Sequence, residues 1–150
     1  VLETQSVPGR GWPAEGEQET ARRSIYVHVK RSLSVPLLAD HDQAPTDTSC
    51  AVRFVSTVST QALGLLNSDF MDRQSELFAA RLRKEAGPDL TAQIRRGLHL
   101  VLQRPPREKE VTLCRQTCEK LQSELHLSEQ TALQRFALIA LNLNEFIYLD

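Results

Sequence analysis

The sequence predicts a mainly α-helical fold: a compact bundle of about four to five helices, with a long irregular N-terminal arm and one short extended segment. Three observations support this prediction. Residues 69–86 repeat apolar side chains at helical spacing, and a glycine and a proline directly follow them. A pair of prolines ends a second such pattern at residues 90–103. From 132 to 141 only two residues are polar, which is typical of a central helix that is buried on most sides.

Length and charge narrow the class of protein. A chain of 150 residues fits one domain, and a net charge of -1 gives no bulk attraction to nucleic acid. No apolar run is long enough to span a bilayer, and no signal peptide is present. The sequence starts at Val1 without the features of a natural N-terminus, so we expect a fragment of a longer protein. The oligomeric state is left open.

The predicted boundary between arm and domain lies near residue 21, with an irregular arm at 1–21 and a helical domain at 22–150. Glycine, proline and glutamate punctuate the arm. Ile25, Val27 and Val29 then alternate with polar or aromatic residues, which is a strand pattern. No second strand is evident to pair with it. The segment is therefore extended on a helical body, a strand completed by another part of a parent chain, or a helix.

A polar cluster follows in the predicted loop at residues 39–56. Its members are His41, Asp42, Asp47 and Arg53. The spacing lacks the pattern of a calcium-binding loop, so turns and caps are the favoured interpretation. Basic residues at 22–23 and 30–31 can contact phosphate, but without an aromatic platform they do not predict nucleic-acid binding.

Capping residues set the predicted helix starts. Hydroxyls at 56–60 precede a short helix, and Ser68 is expected to cap the helix at 69–86. Asp89 is expected to cap the helix at 90–103, a third helix covers 107–126, and Ser128 is expected to cap the last one. Within the last helix we expect Phe136 and Ile139 to be deeply buried. Leu143 and Phe146 should extend that contact into a docked C-terminus.

The three cysteines are predicted to be unpaired. Cys114 and Cys118 lie four residues apart, on the apolar stripe of the third helix, where a free thiol behaves as a small hydrophobe. A disulfide at that spacing is geometrically awkward, and with Cys50 the count is odd. The haem-attachment motif C-x-x-C-H is absent. We predict no catalytic, metal-binding or cofactor-binding residues within this chain.

Three strings carry a family resemblance: RRSIYVHVKRSL at 22–33, SCAVRFVSTVSTQALGLLNSDF at 49–70, and ALNLNEFIYLD at 140–150. In this order they resemble the C-terminal part of the planctomycete domain-of-unknown-function 1553 family. The resemblance implies an exported parent protein, with periplasmic or cell-surface location, and often a cytochrome c-like domain upstream that carries haem c. The family brings no established catalytic residues. The chain departs from the family pattern at Ser59, where proline is usual, near His41, where an aromatic is usual, and at Arg107, where threonine is usual.

Two hypotheses for function follow. The first is a structural or interaction module that packs against upstream domains of a haem-associated protein. The second is part of an extracellular or periplasmic enzyme whose site is shared with an upstream domain. In the second case the polar cluster His41, Asp42, Asp47 and Arg53 is the candidate contribution, although general acid–base chemistry requires a geometry that loop proximity does not establish. Enzymatic activity is left uncertain.

Overall fold

The computed structural model describes residues 23–26, 36–44, 48–52 and 59–148, and in these ranges it contains helices and no strand. A 3₁₀ turn covers Ser24–Tyr26. The α-helices are α1 (Pro36–Asp40), α2 (Ser59–Leu66), α3 (Asp69–Ala86), α4 (Leu90–Leu102), α5 (Glu108–Glu124), α6 (Glu129–Leu141) and α7 (Asn144–Ile147). The prediction of a mainly helical bundle is confirmed.

Internal contacts divide the chain into two units, Val1–Gln61 and Ala62–Asp150. In the first unit, the buried Gln61 side chain donates from Nε2 to the Asp40 carbonyl oxygen at 2.7 Å. The second unit holds the bundle. The predicted arm at 1–21 lies outside the described residues, so its boundary stays a prediction.

The predicted extended segment is described only in part. Ile25 and Tyr26 are exposed and lie in the 3₁₀ turn, where the Tyr26 N–H donates to the Arg23 carbonyl at 2.9 Å. The prediction of a strand is therefore wrong for these two residues. An alternating pattern favours a strand when one of its faces is buried, and both of these side chains are exposed. Residues 27–35 lie outside the described residues, and the segment from Pro36 forms α1.

Two of the predicted helix caps, Asp89 and Ser128, are confirmed, whereas the predicted hydroxyls at 56–58 lie outside the described residues. The Asp89 carboxylate accepts the backbone N–H groups of Thr91 and Ala92, and the Ser128 hydroxyl accepts that of Thr131. Gly87 ends α3 with φ at 72°, a conformation that favours glycine. Ser68 lies at the N-cap position of α3, but its side chain makes no capping hydrogen bond, so the prediction of a hydroxyl cap there is wrong.

Helix α5 begins without an N-cap side chain that accepts a hydrogen bond, in contrast to α4 and α6. Arg107 occupies the N-cap position, and a guanidinium has no acceptor with which to cap backbone N–H groups. The Glu110 carboxylate instead accepts the Arg107 backbone N–H at 2.7 Å. This reverse hydrogen bond therefore stabilises the start of α5 where the Arg107 side chain cannot act as a cap.

The core is built around α6, which contacts α3, α4, α5 and α7. Phe136 is 3% exposed, so the predicted central role of this helix is confirmed. The side chains that form the core cluster come from four helices. They are Ala79, Leu82, Ile94, Leu98, Val101, Val111, Cys118, Ala132, Leu133, Phe136, Ala137 and Ala140.

Two predicted core residues are not buried. Ile139 is 45% exposed, so the prediction of deep burial is wrong for this residue, and Phe146, predicted to extend the core contact, is 46% exposed. The surrounding helices leave one stripe of α6 in solvent, and Ile139 follows the exposed Arg135 at the i+4 spacing of that stripe. Leu143 is half-buried and packs against the core, as predicted.

The predicted core cysteines are confirmed. Cys118 is fully buried, and its Sγ lies 3.9 Å from the Ala132 carbonyl oxygen. Burial raises the pKa of the Cys118 thiol to about 11 and also raises that of the half-buried Cys114. Thiolates are the reactive form, so both act as packing groups near neutral pH. Cys50, Cys114 and Cys118 are all free thiols.

Phe136→Ala is expected to lower the free energy of unfolding by about 3–5 kcal/mol, because it removes a buried ring and leaves a cavity. Phe146→Ala is the matched control, since that ring is almost half exposed. Urea unfolding followed by circular dichroism measures both. Equal losses for the two variants would contradict the central placement of α6.

Gly97→Ala is expected to destabilise the protein, although alanine favours helix over glycine by about 0.5–1 kcal/mol. A Cβ atom at 97 would lie 2.9 Å from Cε1 of Phe136 and 3.0 Å from Cδ1 of Leu82. Relieving such overpacking costs about 1–3 kcal/mol. The double variant with Phe136→Leu should lose less stability than the sum of the two single changes. Additive losses would show that the ring does not limit the space at 97.

Candidate interaction site

The polar cluster predicted from sequence is brought together only in part. His41 and Asp42 lie in the turn after α1, where their backbone N–H groups donate to Leu38 and Ala39 at 3.2 Å each. Both residues are half-buried, and Asp42 adopts a positive φ of 58°. Asp47 and Arg53 lie outside the described residues. Among the residues that are described, no group of His, Cys, Asp and Glu side chains is arranged to hold a metal ion.

Helix α3 carries apolar side chains on two faces. One face enters the core through Ala79 and Leu82. On the other side, Phe70 is 40% exposed and Leu77 is 63% exposed. These two residues are seven apart, so they lie on the same face two turns from one another. We call Phe70 and Leu77 the apolar face of α3.

A groove lies beside this face, between α3 and α6. Its volume is about 70 Å³. The groove is lined by Glu76, Ala79, Ala80, Arg83, Gln130 and Gln134. Its floor is low because two alanines stand where longer side chains would fill the space between the helices. We call these six residues the α3–α6 groove.

The two helices run antiparallel along this groove. At one end of the contact, Asp72 accepts from Arg135 at 3.2 Å and from Gln134 at 3.4 Å. Towards the other end, Arg83 of α3 and Gln130 of α6 both line the groove. The polar lining is therefore arranged along the helix axes, with Gln130 and Gln134 one turn apart.

Two charges in the groove are unmatched. Within the described part of the chain, the side chains of Glu76 and Arg83 form no ion pair or hydrogen bond. Glu85, on the same helix, instead accepts from Arg81 at 2.6 Å and from Arg96 at 2.7 Å. Hydrogen bonds from these two guanidinium groups lower the pKa of the Glu85 carboxyl. The groove therefore offers one negative and one positive group to an outside partner.

Outside the groove, a cluster of charged side chains centred on Arg104 connects parts of the bundle to one another. The Arg104 guanidinium donates to Glu110 at 2.8 and 3.1 Å and to Glu145 at 3.1 and 3.3 Å. It thereby connects the residues after α4 with the start of α5 and with α7. Hydrogen bonds from Arg104 and from the Arg107 backbone lower the pKa of Glu110 from 4.5 to about 2. The predicted docking of the C-terminal segment is confirmed by this contact and by the contacts of α7 with α4 and α6.

Sequence reasoning missed both α3 features. The apolar spacing that predicts the helix at 69–86 treats Phe70, Leu77, Phe78 and Leu82 as one pattern. At 100° per residue, however, Phe70 and Leu77 lie on a different side of the helix from Leu82. The spacing alone therefore contained the signal for a second apolar face. The groove depends on which helix packs beside α3, which the spacing does not define.

Taken together, these features define a helical bundle domain with an exposed apolar face and an adjoining polar groove. The chain belongs to the family described as PSD1, protein of unknown function (DUF1553), whose model matches residues 3–118. The match includes the first two strings of the resemblance and ends before the third, at 140–150. No curated protein and no solved structure shows a significant match. None of the helices that the structure describes has the length and apolar character needed to cross a membrane.

At acidic pH the Arg104–Glu110 contact is expected to stop stabilising the folded protein. Glu110 has a lower pKa in the folded protein than its ordinary 4.5, so it stabilises the fold above that value. This stability is lost as the pH falls from 4.5 towards about 2. Glu110→Gln should therefore lower the melting temperature more at about pH 7 than at about pH 2. Glu124→Gln, an exposed change at the end of the same helix, serves as control, and an equal effect of Glu110→Gln at both pH values would contradict the assignment.

Proposed function

We propose that this chain is a non-catalytic structural and interaction domain that packs against other domains of a longer, exported, haem-associated protein. The observation that carries the proposal is the apolar face of α3. Leu77 leaves 63% of its surface in solvent and Phe70 leaves 40%, on a helix whose opposite face is already in the core.

Exposed apolar side chains gain free energy when a partner covers them. Burying a leucine or phenylalanine fully contributes about 1.5–3 kcal/mol relative to leaving it exposed. Two such side chains on one helix face, bordered by charged residues, have the apolar centre and polar rim of a protein interface. Leu63 and Leu66 of α2, the helix that precedes α3 in sequence, are also exposed.

The proposed context rests on the family resemblance. The resemblance implies a cytochrome c-like domain upstream, and this chain contains no C-x-x-C-H motif of its own. Haem c would therefore belong to the upstream domain, and export would provide the compartment in which that domain matures. In this arrangement the present domain supplies a packing surface. The upstream domain supplies the redox chemistry.

The test begins with the natural coding sequence upstream of Val1. If it encodes a signal peptide and a haem-binding domain, that domain is produced separately and titrated with this chain by isothermal calorimetry. Phe70→Ser combined with Leu77→Ser is expected to weaken binding by about a hundredfold, the equivalent of about 2.8 kcal/mol. The physical reason is the loss of both apolar contacts.

The matched control is Leu113→Ser combined with Leu125→Ser. These leucines are as exposed as Leu77 and more exposed than Phe70, but they belong to α5 and the residue after it. The control should bind like the unmodified chain. Circular dichroism of every variant shows that the fold is retained. Absence of any upstream domain, or unchanged affinity of the α3 variant, would remove the proposal.

A further inference from the structure

The α3–α6 groove has three properties that belong together. It carries two unmatched charges, it has a floor of alanines, and two amide side chains border it. We propose that this groove is the docking site for one helix of the partner domain, with a basic residue opposite Glu76 and an acidic residue opposite Arg83. This inference rests on the proposed function and specifies the partner's docking element.

The spacing of the charges favours a helical partner. Glu76 and Arg83 are seven residues apart, which places them about 10.5 Å apart along the axis of α3. A second helix repeats a face at the same interval of seven residues, so two of its side chains can meet both charges at once. An extended strand repeats a face at about 6.6 Å and then at about 13 Å, and neither distance fits.

The floor of the groove suits close helix packing. Ala79 and Ala80 keep the surface low between the two charges, and the free volume of about 70 Å³ has room for one small aliphatic side chain. Such a side chain would enter as a knob into a hole formed by residues of both helices. Leu77 lies about 100° around α3 from Glu76 and about 120° from Arg83, so the docked helix and the apolar face of α3 occupy different sides of this helix.

The amides complete the recognition. Each glutamine side chain offers both donors and an acceptor, so Gln130 and Gln134 can bond polar groups of either kind on the partner. Gln134 holds its present contacts to Asp72 at 3.4 and 3.5 Å, which are long for hydrogen bonds. Because opposite charges across an interface mainly set specificity, the Glu76 and Arg83 pair should decide which partner sequences are accepted.

The experiment uses four synthetic peptides based on one helical sequence with a central leucine. Two positions seven residues apart hold Lys and Glu in the first peptide, Lys and Lys in the second, and Glu and Glu in the third. The fourth has the Lys and Glu pair but a proline next to the leucine, which breaks the helix. A free peptide with Lys and Glu can bind in the one direction that places Lys opposite Glu76 and Glu opposite Arg83, whereas a like-charged peptide meets one repulsive contact in either direction. The like-charged peptides are therefore the informative comparisons.

The unmodified chain should bind the Lys and Glu peptide about tenfold more tightly than either like-charged peptide in fluorescence anisotropy at low salt. Glu76→Lys should switch the preference to the Glu and Glu peptide, and Arg83→Glu should switch it to the Lys and Lys peptide. Both changes are at solvent-accessible positions, so the fold should be retained. The matched control is Lys84→Glu, an exposed charge of α3 outside the groove, which should leave the preference unchanged.

Three results would overturn the inference: no binding of any peptide, equal binding of the three helical peptides, or undiminished binding of the proline peptide. The last of these would indicate an extended partner. Failure of the groove and failure of the proposed function are separable. If Phe70→Ser with Leu77→Ser weakens binding of the upstream domain while the peptide preferences do not switch, only the groove is wrong. If the peptides switch as expected but no upstream domain binds, only the proposed partner is wrong.

Discussion

The close approach of α4 and α6 at Gly97 is the constraint on which the bundle depends. A single Cβ atom at this position would come within 2.9 Å of the Phe136 ring. The ring occupies the space that any other residue would fill, so a glycine in the middle of a helix, normally unfavourable, allows the largest core side chain of α6 to pack. Leu82 of α3 also reaches this point, 3.0 Å from the same Cβ position, and α3 and α5 both pack on α6.

Arg104 fixes the end of the bundle at which the chain changes direction most often. Its guanidinium holds carboxylates from α5 and α7 together, and the planar fork of arginine suits two carboxylate partners. The carboxylate of Glu110 also serves the backbone of Arg107, so one side chain both starts α5 and anchors Arg104. Because all three groups are partly exposed, their effect is to fix geometry more than to supply stability.

Much of this fold could be predicted from sequence because its helix boundaries depend on residues that lie close to them in the chain. Asp89, Ser128 and Gly87 act through their own backbone neighbours, so their roles need no knowledge of the tertiary structure. Burial is different. Ile139 looks like a core residue in an apolar helix, yet which stripe of α6 is covered depends on where α3 and α5 pack.

The candidate site was harder to predict for the same reason. Sequence reasoning looked for polar residues close along the chain and found His41 and Asp42, whereas the groove joins Glu76 with Gln130, which are distant in sequence. Opposed helices create such a site, and only the packing decides which residues face each other. Glu76 has no oppositely charged residue at i±4, but Arg95 and Arg96 lack one too and pair with other helices, so this sequence signal does not single out the groove.

The two faces of α3 carry side chains of different size, mainly small ones towards the core and large apolar ones towards solvent. Its inner face is held by small side chains, including Ala79 and the fully buried Ser75, whose hydroxyl donates to the Asp72 carbonyl at 2.6 Å. Small residues let α3 approach α6 closely. Because their side chains are short, they also leave the groove beside them unfilled. Leu77 and Phe70 are large apolar residues on the exposed side of a helix in which polar residues predominate. A helix that needed only to cover the core would gain solubility from polar residues at both positions. Their presence, together with charges that the fold leaves unmatched, is consistent with a helix shaped by two contacts, one inside the domain and one outside it.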